Sequence, residues 1–212
     1  MHIPDGFLAV NTWAPMWVVS FCGLGYCIKR AAKILKDRMI PLMGVMAAFI
    51  FAAQMLNFPV AGGTSGHLLG GVLASILLGP YAGAIVIAVV LTAQCFIFQD
   101  GGVTALGTNI FNMAFISAFM GYYIYRLIRS FIKGKGGIVT GAAIASWLSV
   151  VIASGACALE LAFSGTSPLR IALPAMVVVH ILIGIGEALI TSLVISFILK
   201  VRPDLIYEGG IK

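Results

Sequence analysis

Long apolar stretches, separated by clusters of basic residues, are the feature that most limits how this chain can fold. Of its 212 residues, 61% are hydrophobic and only 9% are charged, whereas soluble domains carry about 25% charged residues. A run of roughly 20 apolar residues forms a helix that crosses the hydrocarbon core of a bilayer. The sequence therefore predicts an all-α integral membrane protein in which residues 1–212 form a single membrane domain.

Seven membrane helices are predicted from the apolar stretches, within a helical bundle that covers residues 13–200. Their approximate bounds are 7–29, 39–57, 67–79, 80–98, 108–131, 138–163 and 169–200. Residues 67–98 are either one long helix kinked at Gly79-Pro80 or two short helices joined there, and the distribution of basic residues favours two.

The basic residues predict the orientation of this bundle. They are Lys29, Arg30, Lys33, Lys36 and Arg38 after the first helix, Arg126, Arg129, Lys133 and Lys135 after the fifth, Lys200, Arg202 and Lys212 near the C-terminus, and Arg170. Seven helices put every basic residue except Arg170 on one side, whereas six would put the second cluster on the other side. Since basic loops face the cytoplasm, we expect the N-terminus outside and the C-terminus inside.

The third predicted helix is too short to cross the bilayer. Residues 67–79 would rise about 20 Å, against a hydrocarbon core of about 30 Å. The preceding segment, Asn57 to Gly66, would then be irregular backbone at membrane depth, which is tolerated only inside protein or beside a wet cavity. The sequence thus predicts a pocket that opens to the outside and has His67 at its floor.

The first seven residues, MHIPDGF, carry a possible metal chelate. The α-amine of Met1, the amide nitrogen of His2 and the His2 imidazole can form two fused rings around one ion. Proline stands at position 4, so the His2 amide keeps its N–H and can be deprotonated. Ni(II) and Cu(II) favour such a plane of nitrogens, and His67 is the candidate for the fourth. The bulky His2 is also expected to leave Met1 in place.

Other polar residues in the apolar chain have weaker predicted roles. His180 and Glu187 share one face of the last helix, and we interpret His180 as a hydrogen-bond anchor between helices. Acids near the outer ends either attract cations or reflect ordinary charge asymmetry. Residues that could orient the imidazoles are Asp5, Asn57, Thr64, Ser65, Gln94 and Asn109. Asp5 either orients the histidines or caps the turn that follows Pro4.

Three segments together resemble a known family. MHIPDGF at residues 1–7, GGTSGHLLGG at 62–71 and HILIGIGEALIT at 180–191 are similar to the CbiM/NikM family. Its members are the substrate-binding membrane subunits of nickel and cobalt energy-coupling factor (ECF) transporters. The resemblance implies that residues 1–12 are a metal-chelating loop. It also implies that nitrogens of Met1, His2 and His67 bind Ni(II) or Co(II) as transported substrate, with no cofactor required.

The resemblance also implies partners and a location. A transmembrane coupling subunit and two cytoplasmic ATPases would drive metal uptake across the prokaryotic inner membrane, with a small accessory membrane subunit as a further candidate partner. Ala48 and Ala52 resemble the small residues that contact the coupling subunit in related proteins. The chain lacks GxxxxGK[ST], the phosphate-binding motif of ATPases, so it is expected not to be an enzyme. Its net charge of +6 is explained by membrane orientation rather than by nucleic-acid binding.

Three other functions compete with this interpretation. A stand-alone secondary transporter would carry the ion without ATPases, although the internal repeat typical of many such proteins is not visible. A membrane metalloenzyme or haem protein would use His67 and His180 as ligands. A purely structural subunit would leave MHIPDGF unexplained.

Overall fold

The computed structural model describes residues 1–60 and 64–207, and its architecture is almost wholly helical. The helices are α1 (Val10–Ile34), α2 (Ile40–Gln54), α3 (Gly71–Leu78), α4 (Pro80–Phe98), α5 (Leu106–Ile110), α6 (Gly121–Phe131), α7 (Gly134–Phe163) and α8 (Leu169–Val201). A π-helix, Phe111–Met120, joins α5 directly to α6. The predicted all-α class is confirmed, while individual bounds differ from prediction: α1 begins at Val10 and α2 ends at Gln54.

The outer surface of the bundle is that of a membrane protein. Three helices, α4, α7 and α8, are long and apolar enough to cross a bilayer. Large apolar side chains cover the outside of the bundle, among them Phe21, Leu182 and Phe197. Such a surface is stable in contact with lipid and would aggregate in water.

The short helix α3 lies at the centre of the bundle. All eight of its residues are buried, and it packs against α4, α6, α7 and the π-helix. The prediction that this helix begins at His67 was wrong, because it begins at Gly71. The reason is Gly70, whose φ of +72° is left-handed and cannot belong to a right-handed helix.

The segment before α3 also differs from prediction. Strands Phe58–Val60 and Thr64–Gly66 pair as an antiparallel ribbon in which Pro59 lies opposite Ser65, so this backbone is not wholly irregular. Pairing satisfies backbone N–H and C=O groups that water does not reach. Residues 61–63, which include Gly62 and Gly63 of the predicted motif, lie outside the described residues.

The three basic clusters meet at one end of the bundle. One cavity there is bordered by both Lys36 and Arg202, and a second by both Arg30 and Arg126. Lys212 lies outside the described residues. This common end is the one that the positive-inside rule would place in the cytoplasm.

Candidate metal centre

The first three residues of the chain are buried inside the bundle. Met1 and Ile3 are fully buried and His2 is 4% exposed. The Asn109 side chain holds Ile3 on both sides: its Oδ1 accepts from the Ile3 N–H at 2.9 Å, and its Nδ2 donates to the Ile3 carbonyl at 3.2 Å. The Ile3 carbonyl also accepts from the Gly102 N–H. Asn109, which sequence analysis singled out, therefore positions the backbone next to His2 rather than an imidazole.

The backbone nitrogens of Met1 and His2 both face Ser65. The Met1 amine donates to the Ser65 carbonyl and lies 3.4 Å from its hydroxyl. The His2 N–H donates to the same hydroxyl at 3.3 Å. Strand Thr64–Gly66 ends immediately before His67, so this contact brings the N-terminus and His67 together as predicted.

The His2 ring is fixed by two polar neighbours. Its Nε2 donates to Gln94 Oε1 at 3.0 Å, so the lone pair of the neutral imidazole lies on Nδ1, the nitrogen that would close the chelate ring. Asp100 Oδ1 is 3.5 Å from Nδ1. Asn57 Nδ2 in turn donates to the other Asp100 oxygen at 3.0 Å. Gln94 thus contacts the ring directly, as predicted, and Asn57 acts through Asp100.

The neutral His67 imidazole has one nitrogen, Nε2, that carries no proton. Its Nδ1 donates to the Leu68 carbonyl at 2.7 Å, which leaves the lone pair on Nε2. That atom is buried and has no hydrogen-bond partner within the described ranges. A buried polar atom in this condition costs free energy unless something binds it. The structure therefore leaves one unused imidazole nitrogen in the site.

The two imidazole rings are adjacent and able to reach one ion. Their centroids are 4.5 Å apart, with 28° between the ring planes. Imidazoles on neighbouring corners of a square, with metal–nitrogen bonds of ~2 Å, would have centroids about 4.4 Å apart. No three His, Cys, Asp or Glu side chains converge on a metal-sized space in the part of the chain that the structure describes. A metal bound here would need the backbone nitrogens as well as the two rings.

The surroundings keep the first two nitrogen groups neutral. Burial lowers the pKa of the Met1 amine to about 5 from its ordinary 8.0. Burial, together with the charge of that amine, lowers the pKa of His2 to about 3. Burial also raises the pKa of Asp100. At pH 7 the amine and the imidazole therefore hold lone pairs that a cation can use without displacing protons.

Asp5 has a role that sequence analysis did not foresee. Its carboxylate accepts from the N–H groups of Val103 and Thr104 at 3.0 and 2.7 Å, and from the Thr104 hydroxyl at 2.5 Å. The hydrogen bond from the Thr104 side chain is the main cause that lowers the pKa of Asp5. Asp5 therefore neither touches a histidine nor caps its own turn. It fastens the N-terminal segment to the loop before α5.

The other residues singled out from the sequence divide between the site and the surface. Thr64 lies in the strand that carries Ser65, with its backbone paired to Val60. Ala48 and Ala52 are exposed on α2. Ala52 borders an apolar cavity of about 570 Å³ between α2 and α8, and His67 forms part of its wall. The candidate coupling surface therefore reaches one of the two imidazoles.

His180 does not form the predicted bond between helices. Its Nδ1 donates to the Met176 carbonyl one turn earlier in α8, at 2.7 Å. The predicted partner lay on a neighbouring helix. The carbonyl four residues earlier in the same helix is, however, the acceptor within easiest reach of a helical side chain. Its Nε2 is buried without a hydrogen-bond partner among residues 1–60 and 64–207.

Glu187 and Gln54 hold the loop that carries His67, and sequence analysis missed both. The two Glu187 oxygens accept from the N–H groups of Leu69 and Gly70, each at 2.6 Å. Gln54 Nε2 donates to the Leu69 carbonyl at 2.8 Å. Glu187 thus fixes the backbone two and three residues after His67. The available signal was a carboxylate in an apolar helix, since such a group needs donors.

The chain is similar to known metal transport proteins over nearly its full length. Residues 2–205 match CbiM, described as the cobalt uptake substrate-specific transmembrane region. This chain is 46% identical to a putative fused nickel transport protein NikMN of Archaeoglobus fulgidus, over 98% of this chain and 68% of that one. It is 30% identical to a putative cobalt transport protein CbiM of Methanococcus voltae, over 97% of this chain and 94% of that one.

A solved structure shares the fold as well. The crystal structure of a truncated transition metal transporter superposes with a TM-score of 0.88 at 37% identity, covering 94% of this chain and 99% of that one. Fold, sequence and the family match over residues 2–205 agree. The chain is a membrane protein that belongs to the CbiM/NikM family of nickel and cobalt transport proteins.

Proposed function

We propose that this chain is the substrate-binding subunit of an ECF-type transporter, an ATP-driven importer of the ABC class, and that its substrate is Ni(II) or, alternatively, Co(II). One observation supports this proposal most directly. The buried His67 Nε2 has no hydrogen-bond partner within the described ranges, and it belongs to a ring stacked on His2. A divalent cation is the partner that such a set of neutral nitrogens can bind.

Four nitrogens would hold the ion: the Met1 amine, the His2 amide and Nδ1, and His67 Nε2. Ni(II) takes square-planar nitrogen coordination readily and binds such sites more tightly than Co(II) does. We therefore favour nickel as the substrate. Gln94 and Leu68 would set the ring orientations through the second nitrogen of each imidazole.

Proton release on metal binding is the first prediction of this ligand set. At pH 7 we expect close to one proton released per Ni(II), namely the His2 amide proton now donated to Ser65, because the amine with its pKa of about 5 is already neutral. An amine at the ordinary 8.0 would add almost a second proton. Below pH 5 the count should rise toward two, and affinity should fall more steeply as pH decreases.

Calorimetric titration of the purified chain with Ni(II), in buffers of different ionisation enthalpy, measures this count. The control is a His67→Gln variant, which keeps the three nitrogens of Met1 and His2 and lacks only the fourth nitrogen. A count of two at pH 7 would show that the amine is charged before the metal arrives.

The proposed assembly follows from the same family. The chain would be a multi-pass protein of the prokaryotic inner membrane with its N-terminus outside. A transmembrane coupling subunit and two cytoplasmic ATPases would complete the transporter, with an accessory membrane subunit as a further component. The cavity between Ala52 and His67 supports a coupling subunit docked on α2, since a side chain inserted there would act on a metal ligand directly.

Nickel accumulation in cells tests the whole proposal. We expect cells that express this chain with its coupling and ATPase subunits to accumulate radioactive nickel, and cells that express the chain alone to bind nickel without accumulating it. His67→Ala in the complete transporter should abolish accumulation. Equal accumulation without the ATPases would instead establish a stand-alone secondary transporter.

A further inference from the structure

The cavity bordered by Arg30 and Arg126 lies at the basic end of the bundle, away from the metal centre. It measures about 310 Å³ and is bordered by the end of α1, the first half of α6, the start of α4 and Tyr207 of the C-terminal segment. The first residue of α4, Pro80, borders it. Gln94, which contacts His2, is fourteen residues further along the same helix, about 21 Å away at 1.5 Å per residue. The two sites are therefore separate.

Three cationic side chains border this cavity. Arg30 and Lys33 come from α1 and Arg126 from α6. In the described part of the chain, no carboxylate borders the cavity or forms an ion pair with any of the three. The Arg30 guanidinium lies 5.9 Å from the Tyr26 ring centroid and 5.6 Å from that of Tyr81. These ring contacts, together with a hydrogen bond between the Arg30 and Tyr81 side chains, hold the guanidinium in place, and its remaining N–H groups can bind an anion.

The start of α4 adds a further positive contribution. This helix has 19 residues, begins with Pro80, and has no side chain capping its first turn. The first backbone N–H groups of a helix carry partial positive charge and bind phosphate well. Pro80 has no N–H and the Gly83 N–H donates to the Gly79 carbonyl, so this contribution comes from the N–H groups of Tyr81 and Ala82. Pro80 and Tyr81 both border the cavity, so the helix start lies beside the three cations.

The C-terminal segment closes the cavity in a defined position. The Tyr207 N–H donates to the Ile76 carbonyl at 2.8 Å, and the Tyr207 ring packs at 6.0 Å from that of Tyr122. A side chain at Gly79 would come within 2.8 Å of the Tyr207 ring. A backbone hydrogen bond and ring packing therefore hold this wall of the cavity in place.

We propose that this cavity binds the phosphate group of an anionic phospholipid. The three cations and the start of α4 together attract a phosphate group. The volume of the cavity lies at the lower end of the range for small-ligand sites, about 300–1,000 Å³. Two exposed apolar side chains would contact the acyl chains: Ile34, which borders the cavity and is 45% exposed, and Leu127, which follows Arg126 in α6 and is 61% exposed. Basic pockets between membrane helices on the cytoplasmic side are suited to acidic headgroups.

Native mass spectrometry of the full chain in detergent tests this site, with dioctanoyl phosphatidylglycerol as the probe. We expect one bound lipid on the wild type, and binding at least tenfold weaker in the double variant Arg30→Gln, Arg126→Gln. The matched control is Lys29→Gln, Lys133→Gln, which removes the same charge from exposed residues that do not border the cavity. It should bind like the wild type.

Further binding measurements distinguish a phospholipid from other ligands. Dioctanoyl phosphatidylcholine, which has no net charge, should bind at least tenfold more weakly than phosphatidylglycerol. Competition by millimolar inorganic phosphate that removes the lipid completely would assign the site to free phosphate and overturn the lipid proposal. Equal weakening by the pocket and control variants would overturn it too, since binding would then follow overall charge. If the double variant does not fold, Tyr81→Phe replaces it. This change removes the hydroxyl that is hydrogen-bonded to the Arg30 side chain, and it should weaken lipid binding measurably.

Discussion

Blocking the N-terminal amine should weaken Ni(II) binding by more than a hundredfold. We expect this result for a variant with Gly-Ser-Gly-Ser added before Met1, because the added peptide bond removes the amine lone pair. The Met1 nitrogen is fully buried against Ser65, so the longer chain cannot adopt the same position. Loss of residues that merely orient metal ligands costs about 10–100-fold in affinity, and loss of a ligand itself should exceed that range.

The length of the extension matters for this experiment. A single added residue would place His2 third in the chain, and the new amine, two amides and the imidazole would form a four-nitrogen chelate of their own. Four added residues avoid this. The control carries the same four residues at the C-terminus, and thermal unfolding checks that both variants fold. Unchanged Ni(II) affinity in the N-terminal variant would show that the amine is not a ligand.

Glu187→Gln should weaken Ni(II) binding by about 10–100-fold, the second large effect that we expect. The Glu187 carboxylate accepts from the N–H groups of both Leu69 and Gly70. An amide has only one oxygen, so its NH₂ group would face one of these donors. A buried donor left without an acceptor costs about 1–3 kcal/mol. The loop would shift to relieve this, and His67 would move with it.

A double-mutant cycle shows whether Glu187 acts through His67. In a His67→Ala background, Glu187→Gln should change Ni(II) affinity by less than about threefold, because the group that it positions is gone. Glu160→Gln is the matched control. It removes a buried acid whose hydrogen bond is to Asn112 of the π-helix, and it should leave Ni(II) affinity unchanged. A lower melting temperature with wild-type affinity in Glu187→Gln would indicate a role in folding alone.

The parts of the site that were predictable from sequence are those set by covalent neighbours. Met1 and His2 share a peptide bond, so their chelating geometry follows from the residue order alone. The prediction that His67 lies near them came from helix lengths and basic loops, and the contacts of Met1 and His2 with Ser65 show that the two segments meet. The all-α class was predictable because the long apolar stretches in the composition favour membrane-spanning helices.

The parts that were missed depend on backbone groups and long-range contacts. Asp5 binds the N–H groups of Val103 and Thr104, and sequence spacing says nothing about which distant backbone donors lie near a carboxylate. The start of α3 was displaced from His67 to Gly71 by the left-handed Gly70, which the apolar pattern around it concealed. Glu187 was recognisable as a residue in need of partners, but the partners themselves came from a loop over a hundred residues away.

The complete burial of Met1 has a consequence for how the protein is made. If synthesis starts at Met1 with formylmethionine, the new chain carries a formamide in place of the amine. A formamide nitrogen is a much poorer metal donor than an amine, because its lone pair is delocalised into the carbonyl. Once the first residues are enclosed, no processing enzyme can reach them. Deformylation must then precede folding. Under the proposed ligand set, a molecule that folds first would be normal in sequence and shape but would lack the amine that holds the metal.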